Sequence, residues 1–519
     1  MNKFTNLRNL MSLALLTLLA SLVLGACGDN TATTVSVATT AASAATTAPA
    51  AATTAAPGAA TTAPAAPAAA DAATTAPAAA AGPAPTITPV PPLPQPAGST
   101  KLIFWYGLTG NLGNVVQQTV NKFNQSQTKY YIDAVQQPDY DATINKLNTA
   151  LAGGSLPNIV QIYDIGTQRM IDSRRIIPVQ DLVERDKVQD AINDLEPAVR
   201  NYYTVNGKLY SMPFNSSTIM MYFDKNAFKE AGLDSEKKIW TYDELLDAAK
   251  KLTKKDASGK VTRAGIGYAP DGWGFEQEQA IQNSLFADPN NGRQGRATKL
   301  TFNNEAGANW LNTLKKAQDD GTLVNYGKGK SSDVAAAFVK GEAAILFQSI
   351  ASLRGTVSSA EQAGNKVNVG VAYMPRPAGA QGGTYIGGAS LWITDQGSKE
   401  QQDGGWEFLK FAIQADTQAF WSSNTGYYPI RKAAYELKDM KDALAKYPQF
   451  QVAIDQIRDT KASVATSGAI FGTFVTTRQE VESAIDNFLT GKAPSAKAAL
   501  DDAAKKANDK LEEYNSTVK

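Results

Sequence analysis

Histidine is absent from the chain, and cysteine occurs once, at position 27. Without an imidazole there is no Ser–His–Asp or Cys–His triad, no histidine general base and no histidine-ligated zinc, copper or haem. A lone thiol closes no internal disulfide. Any catalysis would fall to carboxylates, lysine, tyrosine or arginine. A surplus of one charge is missing too: 50 Lys and Arg stand against 49 Asp and Glu, a net +1 over 519 residues. That excludes the basic footprint of a nucleic-acid binder and the acidic tail of a solvating segment. What the chain does have is apolar material, 43% of its residues, enough for two to four domains with sizeable cores.

Lys3 and Arg8 precede an apolar run from Leu10 to Leu24, with no acidic residue before the cysteine. This is signal-peptide architecture over residues 1–26. Cys27 directly follows Leu24-Gly25-Ala26, and the junction resembles a bacterial lipobox, in which the cysteine is diacylated and becomes the new N-terminus. Cys27 is then the lipidation site, and the membrane is engaged through that anchor only. The competing reading is a plain membrane span, but the run is short of the roughly 20 residues a helix needs to cross the hydrocarbon. Residues 27–98 follow as Ala, Thr, Pro, Ser and Gly in units such as ATTAPA, ending in TPVPPLPQPAG. They carry too little apolar surface to offset the entropy of ordering, and their proline blocks a helix, so a disordered, extended linker is expected.

The remainder, residues 99–519, alternates strand and helix patterns. KLIFWY (Lys101–Tyr106), YYIDAV (Tyr130–Val135) and NIVQIY (Asn158–Tyr163) read as strands. Val115, Val116, Val120 and Phe123, then Ile144, Leu147 and Leu151, recur at helical spacing between them. Thr241 and Glu244 form a capping box ahead of YDELLDAAKKL. AAILF, VNVGVAY and SLWIT are later strands, and helices dominate the last third. The pattern predicts an α/β chain of two lobes with a mostly parallel sheet, lobe 1 at about 99–212 plus 345–400 and lobe 2 at about 213–344 plus 401–519. A ligand is expected in the cleft between them. There is no solenoid repeat and no P-loop.

PNIVQIYDIGT (Pro157–Thr167), MPFNSSTIMMYFDKNAFKEAGLD (Met212–Asp234), IGGASLWI (Ile386–Ile393) and TGYYPIRKAAYEL (Thr425–Leu437) carry a resemblance. With these segments in the family's order, the chain resembles the family 1 extracytoplasmic solute-binding proteins of ABC importers, and among them the members that take up glycerol phosphates. The resemblance implies an α/β, two-lobed periplasmic-binding-protein type II fold with an inter-lobe ligand cleft. It implies capture without chemistry, no cofactor, no metal, a small-molecule ligand, ABC permease subunits as partners, no nucleic acid and a monomer. The location implied is the outer face of the cell membrane.

By the same resemblance Arg478 and Tyr427 fall at phosphate-contacting positions and Ser217 and Ser349 at those of ligand serines, while Gly388, with no Cβ, can offer its backbone N–H to an anion. A guanidinium, hydroxyls and an unobstructed backbone N–H suit a phosphate. Tyr140, Asp164, Tyr242 and Trp273 fall at the polyol end. Asp164 stands where such members have a glutamate, and Tyr242 where they have a tryptophan. Each residue has a plain structural alternative: a solvated surface arginine, a serine turn or cap, a glycine turn, a tryptophan packed on its own lobe. Two other functions compete. In a receptor for a neutral sugar or oligosaccharide, Arg478 would be structural. A membrane-anchored glycosidase would need two carboxylates, of which only Asp164 is read into the cleft.

Overall fold

In the computed structural model the described residues are 88–518; the signal peptide, Cys27 and the linker up to residue 87 lie outside them. Two six-stranded sheets organise these residues, one in each of two lobes. In the first, Thr100–Tyr106 pairs in parallel with Tyr130–Gln136 and Ile159–Tyr163. Gly387–Thr394 runs antiparallel to Ile159–Tyr163 and takes Met212–Ser217 and Ile176–Ile177 as further antiparallel partners. The helices Gly110–Ser126 and Tyr140–Gly153 link the parallel strands. Val115, Val116, Val120 and Phe123 form the buried stripe that the spacing predicted.

In the second sheet, Val261–Tyr268 lies between Leu323–Asn325 and Ala343–Ser349, parallel to both. Ile219–Asp224 and then Val369–Ala372 complete it in antiparallel fashion. The capping box at Thr241 and Glu244 starts the helix Tyr242–Leu252, with both reciprocal hydrogen bonds made.

Three expectations about boundaries need correcting. Met212–Ser217, expected to open lobe 2, belongs to the first sheet, and the chain changes sheets at Thr218. Residues 345–400 were expected in lobe 1, yet Ala343–Ser349 and Val369–Ala372 are second-sheet strands. The stretch 401–519 is divided as well, because Lys399–Ala412 packs on Thr100–Tyr106 and Gly387–Thr394 of the first sheet. For the strands the reason is shared: Met212–Ser217 and Val369–Ala372 are buried along their whole length, and nothing local marks which sheet they join.

The linker also ends earlier than composition suggested. From residue 88 the chain is strapped to the first lobe: Asn114 accepts from the Val90 N–H at 3.1 Å and donates to the Thr88 carbonyl at 3.0 Å. Asn121 donates to Pro91 at 3.0 Å, and the Tyr131 hydroxyl to Leu93 at 2.8 Å. Proline presets this extended segment, so ordering it costs little.

The chain passes between the lobes at Thr218, along Tyr373–Ile386 and around Gln449–Asp459, and one buried side chain ties all three. Gln456 donates to Thr218 Oγ1 at 2.8 Å and the Ile219 carbonyl at 2.7 Å, and accepts from the Met374 N–H at 2.8 Å. Thr218 Oγ1 also donates to Thr384 Oγ1 at 3.2 Å.

Candidate functional site

A cavity of about 740 Å³ is lined by residues of both lobes. Its first-lobe wall grows from the carboxyl ends of the parallel strands, where open α/β sheets bind ligands. Ile159–Tyr163 runs directly into the turn Asp164–Gly166, which brings Asp164 to the cavity. The Asp164 carboxyl is almost wholly buried and its Oδ2 has no hydrogen-bond partner. Burial pushes it up to about 7; Arg478 opposes the shift and Glu276 adds to it.

Tyr140, the first residue of its helix, stacks on Tyr163 with ring centroids 5.1 Å apart and planes at 12°. Its hydroxyl accepts from the Asn215 amide at 2.9 Å and lies 3.4 Å from the Tyr427 hydroxyl. Asn215 in turn accepts from Gln161 at 2.9 Å, and Gln161 from the Gly107 N–H at 3.0 Å. This buried chain runs from the first strand to the cavity floor. The Tyr163 hydroxyl donates to Asp141. Ser217 and Gly388 sit on adjacent strands, with Gly388 opposite Ser216. Gly388 has φ +110, and a Cβ there would lie 1.9 Å from the Asn215 carbonyl oxygen, so only glycine fits.

The second-lobe wall holds Trp273, Ser349 and Arg478. Asp271 caps the helix Gly272–Ile281 by accepting from the Trp273 N–H at 3.0 Å, and the Trp273 indole N–H has no partner. Ser349 ends its strand, its hydroxyl accepting from Ala351 at 3.2 Å. Arg478, on Phe474–Leu489, forks onto Glu276 with Nε–Oε1 and Nη2–Oε2 both 2.7 Å. Its guanidinium lies 5.9 and 5.8 Å from the ring centroids of Tyr163 and Phe474, and Nη2 comes within 3.7 Å of Asp164 Oδ2. Burial alone lowers the Arg478 pKa, but Glu276 and Asp164 more than reverse this, so it stays charged.

Tyr140, Asp164, Ser217, Trp273, Ser349, Gly388, Tyr427 and Arg478 therefore line one cavity. Tyr242 does not. It is 8% exposed, its ring 5.6 Å from Trp310, and its hydroxyl donates to Glu278 at 2.5 Å. A residue at the first helical position behind the Thr241 cap turns inward to its own lobe's core. Burial pushes Glu278 up to about 8.

Sequence reasoning missed Lys328, Glu482, Tyr163 and Asp141, which also line the cavity, and Glu276 behind Arg478. Lys328 Nζ donates to the Gln479 carbonyl and the Ser483 hydroxyl at 2.9 Å and lies 3.8 Å from Glu482. Burial, then Asp271, pushes Glu482 up to about 6. Glu276 was hidden in the run EQEQ, which reads as a solvated helix face, yet Glu276 to Gln279 are each at most 2% exposed.

A larger hollow, about 920 Å³, lies beside Thr384 and Thr460 and contains none of the expected ligand residues. Its arginines are engaged within the protein: Arg458 with Glu196, Arg293 with the carbonyls of Tyr202, Ser467 and Gly468. Among the described residues no group of side chains could hold a metal ion, and no helix is long and apolar enough to cross a membrane.

The model of the family described as "Bacterial extracellular solute-binding protein" matches residues 118–452. The sn-glycerol-3-phosphate-binding periplasmic protein UgpB of Yersinia pseudotuberculosis is 32% identical over 428 residues, 81% of this chain and 94% of that protein. Among solved structures, UgpB from Mycobacterium tuberculosis in complex with glycerophosphocholine is similar with a TM-score of 0.66 and 22% identity, over 80% of this chain and 100% of that one. The substrate-binding protein Lmo0181 from Listeria monocytogenes, in complex with cycloalternan, is similar with a TM-score of 0.66 and 16% identity, over 80% and 99%. The two structures share the two-lobed fold with this chain.

Proposed function

We propose a glycerol phosphate, monoester or phosphodiester, as the ligand of this chain, which belongs to the bacterial extracellular solute-binding protein family. The chain is the solute-binding component of an ABC importer and captures its ligand outside the cytoplasm without transforming it. The observation that carries the ligand reading is a convergence. Five sequence segments, bearing Ser217, Ser349, Gly388, Tyr427 and Arg478, bring hydroxyls, a backbone N–H and a guanidinium to one cavity. These are the donors a phosphate needs. Asp164 with its unpartnered Oδ2, Tyr140 and the free indole N–H of Trp273 serve the hydroxyls and carbon skeleton of the glycerol end.

Capture works by closure. The first-lobe groups and the second-lobe groups meet the same ligand, so the ligand favours the state in which the lobes are together. The closed state then docks on the permease. Cys27 is the lipid anchor, the Ala/Thr/Pro linker gives the reach, and the receptor acts as a monomer.

Calorimetric titration of protein refolded to remove bound ligand tests this reading against glycerol 3-phosphate, glycerophosphocholine, glycerol and maltose. The expected result is binding of the phosphorylated compounds alone, weakened at least a hundredfold in Arg478→Ala. Binding of maltose would make the chain a sugar receptor instead, and undiminished affinity for the phosphorylated compounds in Arg478→Ala would remove Arg478 as the phosphate contact.

A further inference from the structure

Arg478 is the cation that the proposed ligand reaches, and its charge is already matched inside the protein. Glu276 accepts both arms of its fork, is 2% exposed, and stands behind Arg478 without lining the cavity. Tyr385, in the segment that joins the lobes, fixes this carboxylate: its hydroxyl donates to Glu276 Oε2 at 3.1 Å and its N–H to Gln277 at 2.9 Å. The fork uses two of the five guanidinium N–H groups and leaves three for a ligand. The donors stay available while the charge is largely spent.

Nothing else in the cavity restores that charge. Asp164 approaches Arg478 from the opposite lobe, Lys328 lies beside Glu482, and Asp139 and Asp141 add two further carboxyls to the lining. The cavity therefore offers many hydrogen-bond donors and no net positive charge. A phosphomonoester carries about −1.5 to −2 at pH 7, whereas a phosphodiester carries a single negative charge, because its second acidic oxygen is esterified.

We infer that Glu276 sets the charge of the phosphate group this site accepts: by matching Arg478 from behind, it favours phosphodiester monoanions over phosphomonoester dianions. The inference rests on the glycerol phosphate reading and names the substrate class within it. Glu276 is a positioning residue here, acting on the ligand through Arg478.

The test is a selectivity ratio. The wild type, Glu276→Gln and Glu276→Asp are titrated at pH 7.5 with glycerol 3-phosphate and with glycerophosphoglycerol, a phosphodiester lacking a cationic head. The wild type is expected to bind the diester at least tenfold more tightly. Glu276→Gln narrows that preference at least fivefold, mainly by binding the monoester better, and Glu276→Asp, which keeps the charge, preserves it. Tyr385→Phe, which removes one donor to the carboxylate, shifts the ratio the same way by a smaller factor and serves if Glu276→Gln does not fold by circular dichroism. A wild type that prefers the monoester overturns the inference. So does a Glu276→Gln protein in which both affinities move by the same factor, because Glu276 would then only shape Arg478. If the wild type binds neither phosphate compound, the glycerol phosphate reading itself has failed, and that is seen before any variant is made.

Discussion

Asn215 joins the first-lobe sheet to the cavity: its amide donates to the Tyr140 hydroxyl and its carbonyl accepts from Gln161, both at 2.9 Å. Asn215→Ala leaves two buried polar groups without their partner. The expected cost is about 1–3 kcal/mol for each group so orphaned. Ligand affinity should fall roughly tenfold, because Tyr140 loses the contact that holds it; a tenfold change is about 1.4 kcal/mol. Urea unfolding and titration of the same preparation separate the two effects.

Gly388 and Gly272 make contrasting tests. Gly388→Ala combines a left-handed backbone with a Cβ 1.9 Å from the Asn215 carbonyl, a clash that no side-chain movement relieves. A loss of roughly 3–5 kcal/mol is expected. At Gly272 a Cβ would meet Arg478 Cγ at 2.3 Å and its backbone oxygen at 3.0 Å, so Arg478, forked onto buried Glu276, has to shift. Gly272→Ala should therefore lose about 1–3 kcal/mol, less than Gly388→Ala, and bind phosphate compounds at least tenfold more weakly because Arg478 is displaced. Equal stability losses in the two variants would contradict this.

Tyr242→Phe checks the corrected position of that residue. Its hydroxyl serves Glu278, outside the cavity. Stability should fall by about 1–3 kcal/mol, while ligand affinity stays within about twofold. A large affinity loss would return Tyr242 to the ligand.

Stability should decline as pH rises through neutrality. Asp164 at about 7, Glu482 at about 6 and Glu278 at about 8 are all raised, each by burial first. A carboxyl with a raised folded pKa binds its proton more tightly folded than unfolded, so its ionisation favours unfolding. Its contribution is complete below the ordinary carboxyl range, about pH 4, and is lost as pH climbs through 6 to 8. The melting temperature of the unliganded protein should thus be higher at pH 5.5 than at pH 8.5. Asp164→Asn should shrink the difference, and an unchanged pH profile in that variant would remove Asp164 as its source.

Most individual elements were legible in the sequence, because spacing and capping are local. Phe104 and Val116 declared themselves by period, and Thr241 with Glu244 by a capping pattern that the structure reproduces. Sheet membership was not legible. Ala343–Ser349 and Gly387–Thr394 are similar apolar runs that join different sheets, and partner choice there depends on residues 79 or more positions away. The cavity residues were recognised through resemblance; burial and spacing alone would not have gathered Ser217, Tyr427 and Arg478. Glu276 was illegible for the opposite reason. An acidic residue in a polar run signals solvent, and only tertiary structure supplies the arginine that lets it be buried.

The strap at residues 88–93 decides where mechanical load enters the molecule. Asn114, Asn121 and Tyr131, which hold it, are all first-lobe residues. A pull on the preceding chain is resisted in shear along one helix and one strand, and the path of force does not pass through Thr218, Thr384 or Gln456. In the anchored, closing receptor proposed above, the second lobe swings unloaded, and closure free energy and ligand affinity are expected not to change with tension in the tether.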